Sequence, residues 1–510
     1  SMIGILYLLL YLTAGLFVIR CLLPRFTPLA RIWLGLSLGF LLLMWLPALW
    51  AFALTFGQMA HILSGVSLLP VCAIACMLRD RREAEGWDEE ESGLLRQILV
   101  VCIPLTVLSA YLQYTHVLRV DEWGNWNVGQ STYGDLAMHT AFITGLKNAA
   151  FPPDYPFYPG QTLSYPFLTD SLSTTFYLCG WSLQLATIVP SVWLMALCYM
   201  GVMVLARDMT RGKKTIVLAA LLFFLNGGLG FLYDFDQAAG FESDGTLTVV
   251  DRVRFILEGY YTTPTNQPEP NNLRWSNLIA DLLVPQRTLM GGYSMAIPCL
   301  YLLYMTFSPE TRDRRSSRQS LALLGIWGGS LPMIHTHSFL ALALASMGYM
   351  IYDVCHEKEK KQIVLRYLLY ALLAAALALP QLFGFTFRQV FEKEGGTGNF
   401  LRLQFNWVNN PGGRGMRDFY IWFYVKNIGL PFVLLMLACF EKDAHMRRIL
   451  MAALPIVILG ETVRFQPNEY DNNKLFYLAY LLCTMVISDY AAILYRKLKG
   501  VRARPLMAAA

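Results

Sequence analysis

Charged side chains are scarce in this sequence: Asp, Glu, Lys and Arg make up 15% of its 510 residues, while hydrophobic residues make up 55%. A soluble protein of this length does not cover its surface from so small a charged set, and the mean hydropathy of +0.43 agrees. Cysteine offers no framework either. The ten Cys residues fall mostly inside apolar runs (Cys72, Cys76, Cys179, Cys198, Cys299, Cys439, Cys483) without a CxxC pair, and they read as small core side chains. No HExxH motif is present, so the usual signature of a zinc protease is missing. No clear internal repeat and no ladder of buried charges stands out, and both are common in transporters. The net charge of +6 is no nucleic-acid footprint, because the basic residues sit in short turns between apolar runs.

What is there is a series of apolar runs of roughly 20 residues, enough to cross about 30 Å of hydrocarbon. The first lacks a basic n-region and ends at Arg20-Cys21-Leu22-Leu23-Pro24-Arg25, so it reads as a first span rather than a cleaved leader. Basic turns at 20–31, 79–96, 207–214, 312–318, 356–366 and 442–448, with the tail from Arg496, mark the cytoplasmic side. With all of them inside, the chain crosses roughly 13 times, N-terminus outside and C-terminus cytoplasmic. The expectation is an all-α polytopic membrane protein forming one transmembrane module over 1–510. Its N-terminal spans cover 1–113, and a first extracytoplasmic loop with interfacial helices covers 114–180. The remaining spans cover 181–510, with outer loops near 234–285, 387–416 and 461–473. Residues 165–206 are long for one crossing and short for two, so the part up to about Gly180 reads as a helix lying partly in the outer interface.

Long loops rich in Trp, Tyr, Asn, Gly and Pro are more often binding walls than idle connectors. On the first of them, Asp135 and His139 stand four residues apart. A helix would place them on one face, about 6 Å apart at Cβ, where both could meet one substrate. A helix cap is the plain alternative for Asp135. Asp121-Glu122-Trp123 is a second acidic candidate, or else a solvated turn. His335-Thr336-His337 lies inside an apolar stretch of about 35 residues, which must fold as a helical hairpin with its corner at the histidines. His-x-His suits a metal, a substrate phosphate or sugar hydroxyl, or only the corner itself. Near the C-terminus, Arg464, Asp471, Asn472 and Lys474 combine cations suited to phosphate with polar groups suited to sugar. Arg274, beside Trp275 and Asn277, and Arg287 at a span entrance suit the same ligands, or serve as interface anchors.

On these residues the chain resembles the GT-C class of polytopic glycosyltransferases, the group that includes protein O-mannosyltransferases, the oligosaccharyltransferase catalytic subunit and lipid A aminoarabinose transferases. Asp135-Leu136-Ala137-Met138-His139 resembles the Asp-x-x-x-His form of the essential acid in that class, and Asp121-Glu122 resembles its acidic-pair form. More narrowly, the first loop, His335-Thr336-His337-Ser338-Phe339 and Asp471-Asn472-Asn473-Lys474-Leu475-Phe476 look like a largely uncharacterised bacterial GT-C-like family. Three spans precede the one leading into the acidic loop, where many members have one, and the usual soluble C-terminal domain is absent.

The resemblance implies a polyprenyl-phosphate sugar as donor and a glycan, lipid or protein as acceptor, with no nucleic acid and no certain cofactor beyond an optional divalent metal. It implies an inverting reaction on the outer face of a bacterial plasma membrane. Asp135 would be the general base, with Asp121 or Glu122 as rivals. His139, His335, His337, Arg274, Arg287, Arg464, Asp471, Asn472 and Lys474 would contact substrate. The competing classes are a lipid or glycan transporter or flippase, a metal-dependent membrane hydrolase with His335 and His337 as ligands, and a non-catalytic assembly protein.

Overall fold

In hydrocarbon a backbone N–H or C=O finds no water, so an apolar run must satisfy these groups within itself, as a helix. The computed structural model describes residues 2–129, 132, 134–230, 248, 250–251, 254, 271–388 and 401–499, and it is helical wherever the sequence is continuously apolar. The chain runs through α1 (Met2–Leu22), α2 (Pro28–Ala51), α3 (Gln58–Val66), α4 (Leu68–Met77), α5 (Glu89–His116), α6 (Leu136–Gly145), α7 (Leu168–Leu178), α8 (Leu183–Met209) and α9 (Lys213–Leu225). It continues as α10 (Arg287–Phe307), α11 (Arg318–Gly329), α12 (Pro332–His356), α13 (Lys360–Gln381), α14 (Tyr420–Ile428), α15 (Leu430–Ala438), α16 (Ala444–Thr462) and α17 (Asn473–Lys497). Two hairpins, β1–β2 (Arg119–Val120, Trp126–Asn127) and β3–β4 (Asp154–Tyr155, Tyr158–Thr162), flank α6. A third pair joins β5 (Arg402–Leu403) to β6 (Val463–Arg464).

Nine helices among the described residues are long and apolar enough to cross a membrane, counting α3 with α4 as one. An integral, polytopic, all-helical protein follows. Of the other helices, α7, α9, α11, α14 and α15 are short, with 11, 13, 12, 9 and 9 residues, and α16 has 19. Parts of the outer loops expected near 234–285 and 387–416 lie outside the described residues.

The chain divides into two compact units. The first comprises Ser1–Met209, Leu282–Ser346 and Met350–Gly395. Its centre is α10, buried along its whole length and packed on α2, α7, α8 and α11. The apolar stretch carrying the histidines does break in two. α11 ends at Gly329, α12 starts at Pro332, and His335 is non-helical at φ −163°, ψ 105°. The helix expected to stop by about Gly180 is α7, followed by Gly180 at φ +83°. Every residue from Leu168 to Phe176 is buried against its own unit.

The second unit comprises Thr210–Asp281, Met347–Tyr349 and Gly396–Ala510. α17 is its central helix and packs on α9, α15 and α16. α9 ends at Leu225, ahead of a glycine run. Gly228 sits at φ +63°, and a Cβ there would lie 1.8 Å from the Asn427 carbonyl oxygen, so only glycine fits.

Candidate functional site

In the first unit α6 begins at Leu136, which makes Asp135 the residue before the helix rather than part of it. Its carboxylate makes no capping bond and is exposed. His139, one turn on, is 1% exposed. The imidazole therefore turns into the interior of the first unit, while the Asp135 carboxylate lies at its surface. The reason lies in the interior: a buried imidazole needs a polar partner there, and His139 finds it in Asp170. Its Nδ1 lies 2.8 Å from Asp170 Oδ2.

Asp170 is fully buried on α7, and its second oxygen accepts from Arg287 Nε at 2.7 Å. The Arg287 guanidinium is then saturated by this unit. Nη1 donates to the Thr187 carbonyl at 3.2 Å and to Ser191 Oγ at 3.0 Å. Nη2 donates to Ser173 Oγ at 2.5 Å and to the Thr169 carbonyl at 3.4 Å. A buried carboxylate is tolerated when it is paired and fully hydrogen-bonded, and both conditions are met here. Arg287 thus ties α10 to α7 and α8 instead of standing open for a substrate phosphate. The Nε2 of His139 and Oγ1 of Thr169 are buried with no hydrogen-bond partner among the described residues.

Two glycines let α10 approach this network. A Cβ on Gly291 would lie 2.1 Å from Thr169 Oγ1, and one on Gly292 would lie 2.2 Å from His335 Cβ. His335 is buried, its Nδ1 is 2.8 Å from Ser338 Oγ, and its ring stacks on that of half-buried His337. The His-x-His motif builds the helix corner. Among the described residues no three His, Cys, Asp or Glu side chains gather as a metal would require. Among the described residues, His335 and His337 thus have no third such ligand beside them.

Asp121 occupies the β1–β2 turn and is committed to it. Its carboxylate accepts from the backbone N–H of Trp123 at 2.9 Å and of Asn125 at 2.8 Å. It also accepts from the side-chain amides of Asn125 at 3.2 Å and Asn127 at 3.1 Å. Slight desolvation opposes these bonds, which prevail and hold the Asp121 carboxyl below its ordinary value. Glu122 beside it is exposed.

The second unit holds the C-terminal candidates. Arg464 lies on β6 opposite Arg402, and both guanidinium groups approach Glu469, at 3.4 and 3.3 Å. Lys474 is 3.5 Å from Asp471. Asn472 is buried and donates to the carbonyls of Gly460 at 2.8 Å and Val463 at 2.6 Å, so it pins the turn before α17. The backbone N–H of Arg274 donates to Asn427 Oδ1 at 2.6 Å.

Between these elements sits Glu461, 4% exposed at the end of α16 and bonded by Asn406, Tyr420 and Tyr424. Burial pushes its carboxyl up to about 7, against the hydrogen bonds of Asn406 and Tyr420. From the ordinary carboxyl value, about 4.3, up to about 7, the folded protein keeps a proton that the unfolded chain has lost. Stability therefore falls as pH rises through that window, and the penalty is complete above it. Glu461→Gln removes the titration. Melting in detergent is expected to show the variant gaining on the parent between about pH 5 and about pH 8, by up to ~3 kcal/mol. Identical pH slopes would refute this account of Glu461.

Sequence reasoning misses Asp170, although a signal was present. It is the only charged residue between Asp154 and Arg207, as Arg287 is between Asp281 and Glu310. Lone opposite charges in two apolar runs are natural partners.

No protein-family model, curated protein or solved structure matches the chain.

Proposed function

We propose that this protein is a GT-C-type glycosyltransferase that moves a sugar from a polyprenyl-phosphate donor to an acceptor hydroxyl, with inversion and with Asp135 as general base. The observation that carries this reading is the state of Asp135. Its exposed carboxylate makes no capping bond, on a helix whose next turn is fixed to the core through His139 and Asp170. A base needs both a free lone pair and a rigid mount.

In the reaction, an Asp135 oxygen takes the proton of the acceptor hydroxyl as that oxygen bonds to the anomeric carbon. The bond from that carbon to the phosphate oxygen breaks, and its electron pair leaves with the polyprenyl phosphate. Inversion follows from attack opposite the leaving group. A departing phosphate calls for cations, and the second unit, taken by itself, carries Arg274, Arg464 and Lys474. His139 serves as a positioning residue rather than a sugar contact. In this reading the chain has a GT-C fold with roughly 13 crossings, its N-terminus outside and its C-terminus in the cytoplasm of a bacterial cell. The acceptor is a glycan, lipid or protein.

One observation favours a second reading. A buried Asp–His–Arg network among apolar helices is also what lipid or glycan transporters use along their pathways. Mass spectrometry of lipids carried through purification, followed by assay with labelled polyprenyl-phosphate sugar and membrane extract in liposomes, separates the two. The transferase reading expects a polyprenyl phosphate or its glycoside to co-purify, and label to pass to an acceptor. Donor recovered intact on the opposite leaflet would replace it with the flippase reading. Ordinary phospholipids alone, with no turnover of donor, would remove both.

A further inference from the structure

Away from these residues, the first unit carries an open-mouthed cavity of about 980 Å³ at the start of α11 and α13. Its shape follows from two glycines. A Cβ on Gly325 would lie 2.8 Å from Leu373 Cδ2, and one on Gly329 would lie 2.5 Å from the Ala374 carbonyl oxygen. Such contacts let the two backbones meet closely at that level. Nearer the N-termini, Leu321, Ala322, Ile363 and Leu369 line the open space, with the turns 312–317 and 357–359 above.

The lining is apolar along the helices and charged at the rim. Arg312 is engaged by Glu357 at 2.7 Å. Arg366 is fixed by the Thr306 carbonyl at 3.0 Å and Ser316 Oγ at 2.5 Å, and its guanidinium lies over the Phe307 ring. Asp313 and Glu359 also line the cavity. Arg318 and Lys358 face it as well, are exposed, and form no ion pair among the described residues. Exposed Lys360 and Lys361 at the start of α13 add to these, so cations outnumber acids around the mouth. Below the rim, Leu365, Leu368, Leu369 and Leu372 are exposed on α13, an apolar strip running from the cavity along a helix able to span the membrane.

A cationic rim above an open apolar strip matches a molecule with an anionic head and a hydrocarbon tail. We infer that this cavity binds the phosphate headgroup of an anionic phospholipid from the surrounding leaflet, with one acyl chain along the exposed leucines of α13. Arg318 and Lys358 meet the phosphate, while the already paired Arg312 and Arg366 shape the rim. A phosphate in this position answers charges that the protein itself leaves unpaired, and basic pockets between membrane helices are suited to such heads.

The test uses the full chain in detergent with phosphatidylglycerol or phosphatidylcholine added, and native mass spectrometry to count retained lipid. The parent is expected to retain phosphatidylglycerol over phosphatidylcholine. The pair Arg318→Gln with Lys358→Gln is expected to weaken phosphatidylglycerol retention about thirty-fold, from about 1 kcal/mol for each cation. Both positions are exposed, and an unchanged melting temperature without added lipid would verify that the variant is folded. A control pair at another basic turn, Lys442→Gln with Arg447→Gln, is expected to retain lipid as the parent does. Equal retention by the cavity variant and the parent would overturn the inference, as would equal loss in the control pair. So would equal retention of phosphatidylcholine by the parent, or full displacement of the lipid by soluble glycerol phosphate at matched concentration, which would make this a site for free phosphate.

Discussion

Asp135→Asn is expected to slow sugar transfer by about 10²- to 10⁴-fold, the span that a positioned general base commonly supplies. The loss should fall on kcat, since the asparagine keeps the shape and polarity that bind the acceptor and lacks only the ability to take a proton. Stability should hardly change, because Asp135 is exposed and its side chain caps nothing. Asp121→Asn is the matched comparison. Asp121 spends its carboxylate on the β1–β2 turn, so this variant should loosen the hairpin and leave most of the transfer rate. The measurement is transfer from a labelled polyprenyl-phosphate sugar in reconstituted membranes. Undiminished transfer by the Asp135 variant, with Asp121→Asn inactive, would move the base to Asp121.

The second large effect concerns the buried network. Asp170→Asn leaves the Arg287 guanidinium inside the first unit without a counter-charge, and breaking a buried pair in this way costs about 3–5 kcal/mol. The expected result is a sharp fall in the yield of monodisperse protein and in melting temperature. Arg287→Gln should do similar harm by leaving the Asp170 carboxylate with only His139. The double variant should be less damaged than the sum of the two, with a coupling of about 1–3 kcal/mol, because neither uncompensated charge remains. Strict additivity of the two losses would mean that the pair does not act as a unit.

Much of the helical framework is legible from length and hydropathy alone. The corner at His335 is a clear case: an apolar stretch of about 35 residues exceeds one crossing, and α11 and α12 divide it at the proline beside the histidines. The end of α7 near Gly180 was legible for a similar reason, since 165–206 is too long for one crossing, and a left-handed glycine closes the helix there. The site was less legible. Asp135 and His139 do stand one turn apart, the His139 N–H donating to the Asp135 carbonyl at 3.0 Å, but a sequence does not reveal that the imidazole turns inward to Asp170. Arg287 read as a phosphate ligand because a sequence does not reveal which hydrogen-bond acceptors surround a guanidinium. Three side chains and two carbonyls from α7 and α8, distant in sequence, fill it. The burial of α7 was not legible, because its Ser and Thr hydroxyls find their partners largely in backbone carbonyls inside the protein.

The separation of Asp170 from Arg287 also bears on how the chain is made. His139 has already been synthesised when Asp170 appears, but Arg287 follows 117 residues later. At about 5–20 residues per second, the carboxylate waits roughly 6–23 s for its guanidinium partner. During that interval α7 has only an imidazole to share, so it is poorly suited to settle among apolar neighbours. The centre of the first unit therefore closes only once α10 has emerged, and a ribosome paused before Arg287 would hold an N-terminal half that cannot yet complete its own interior.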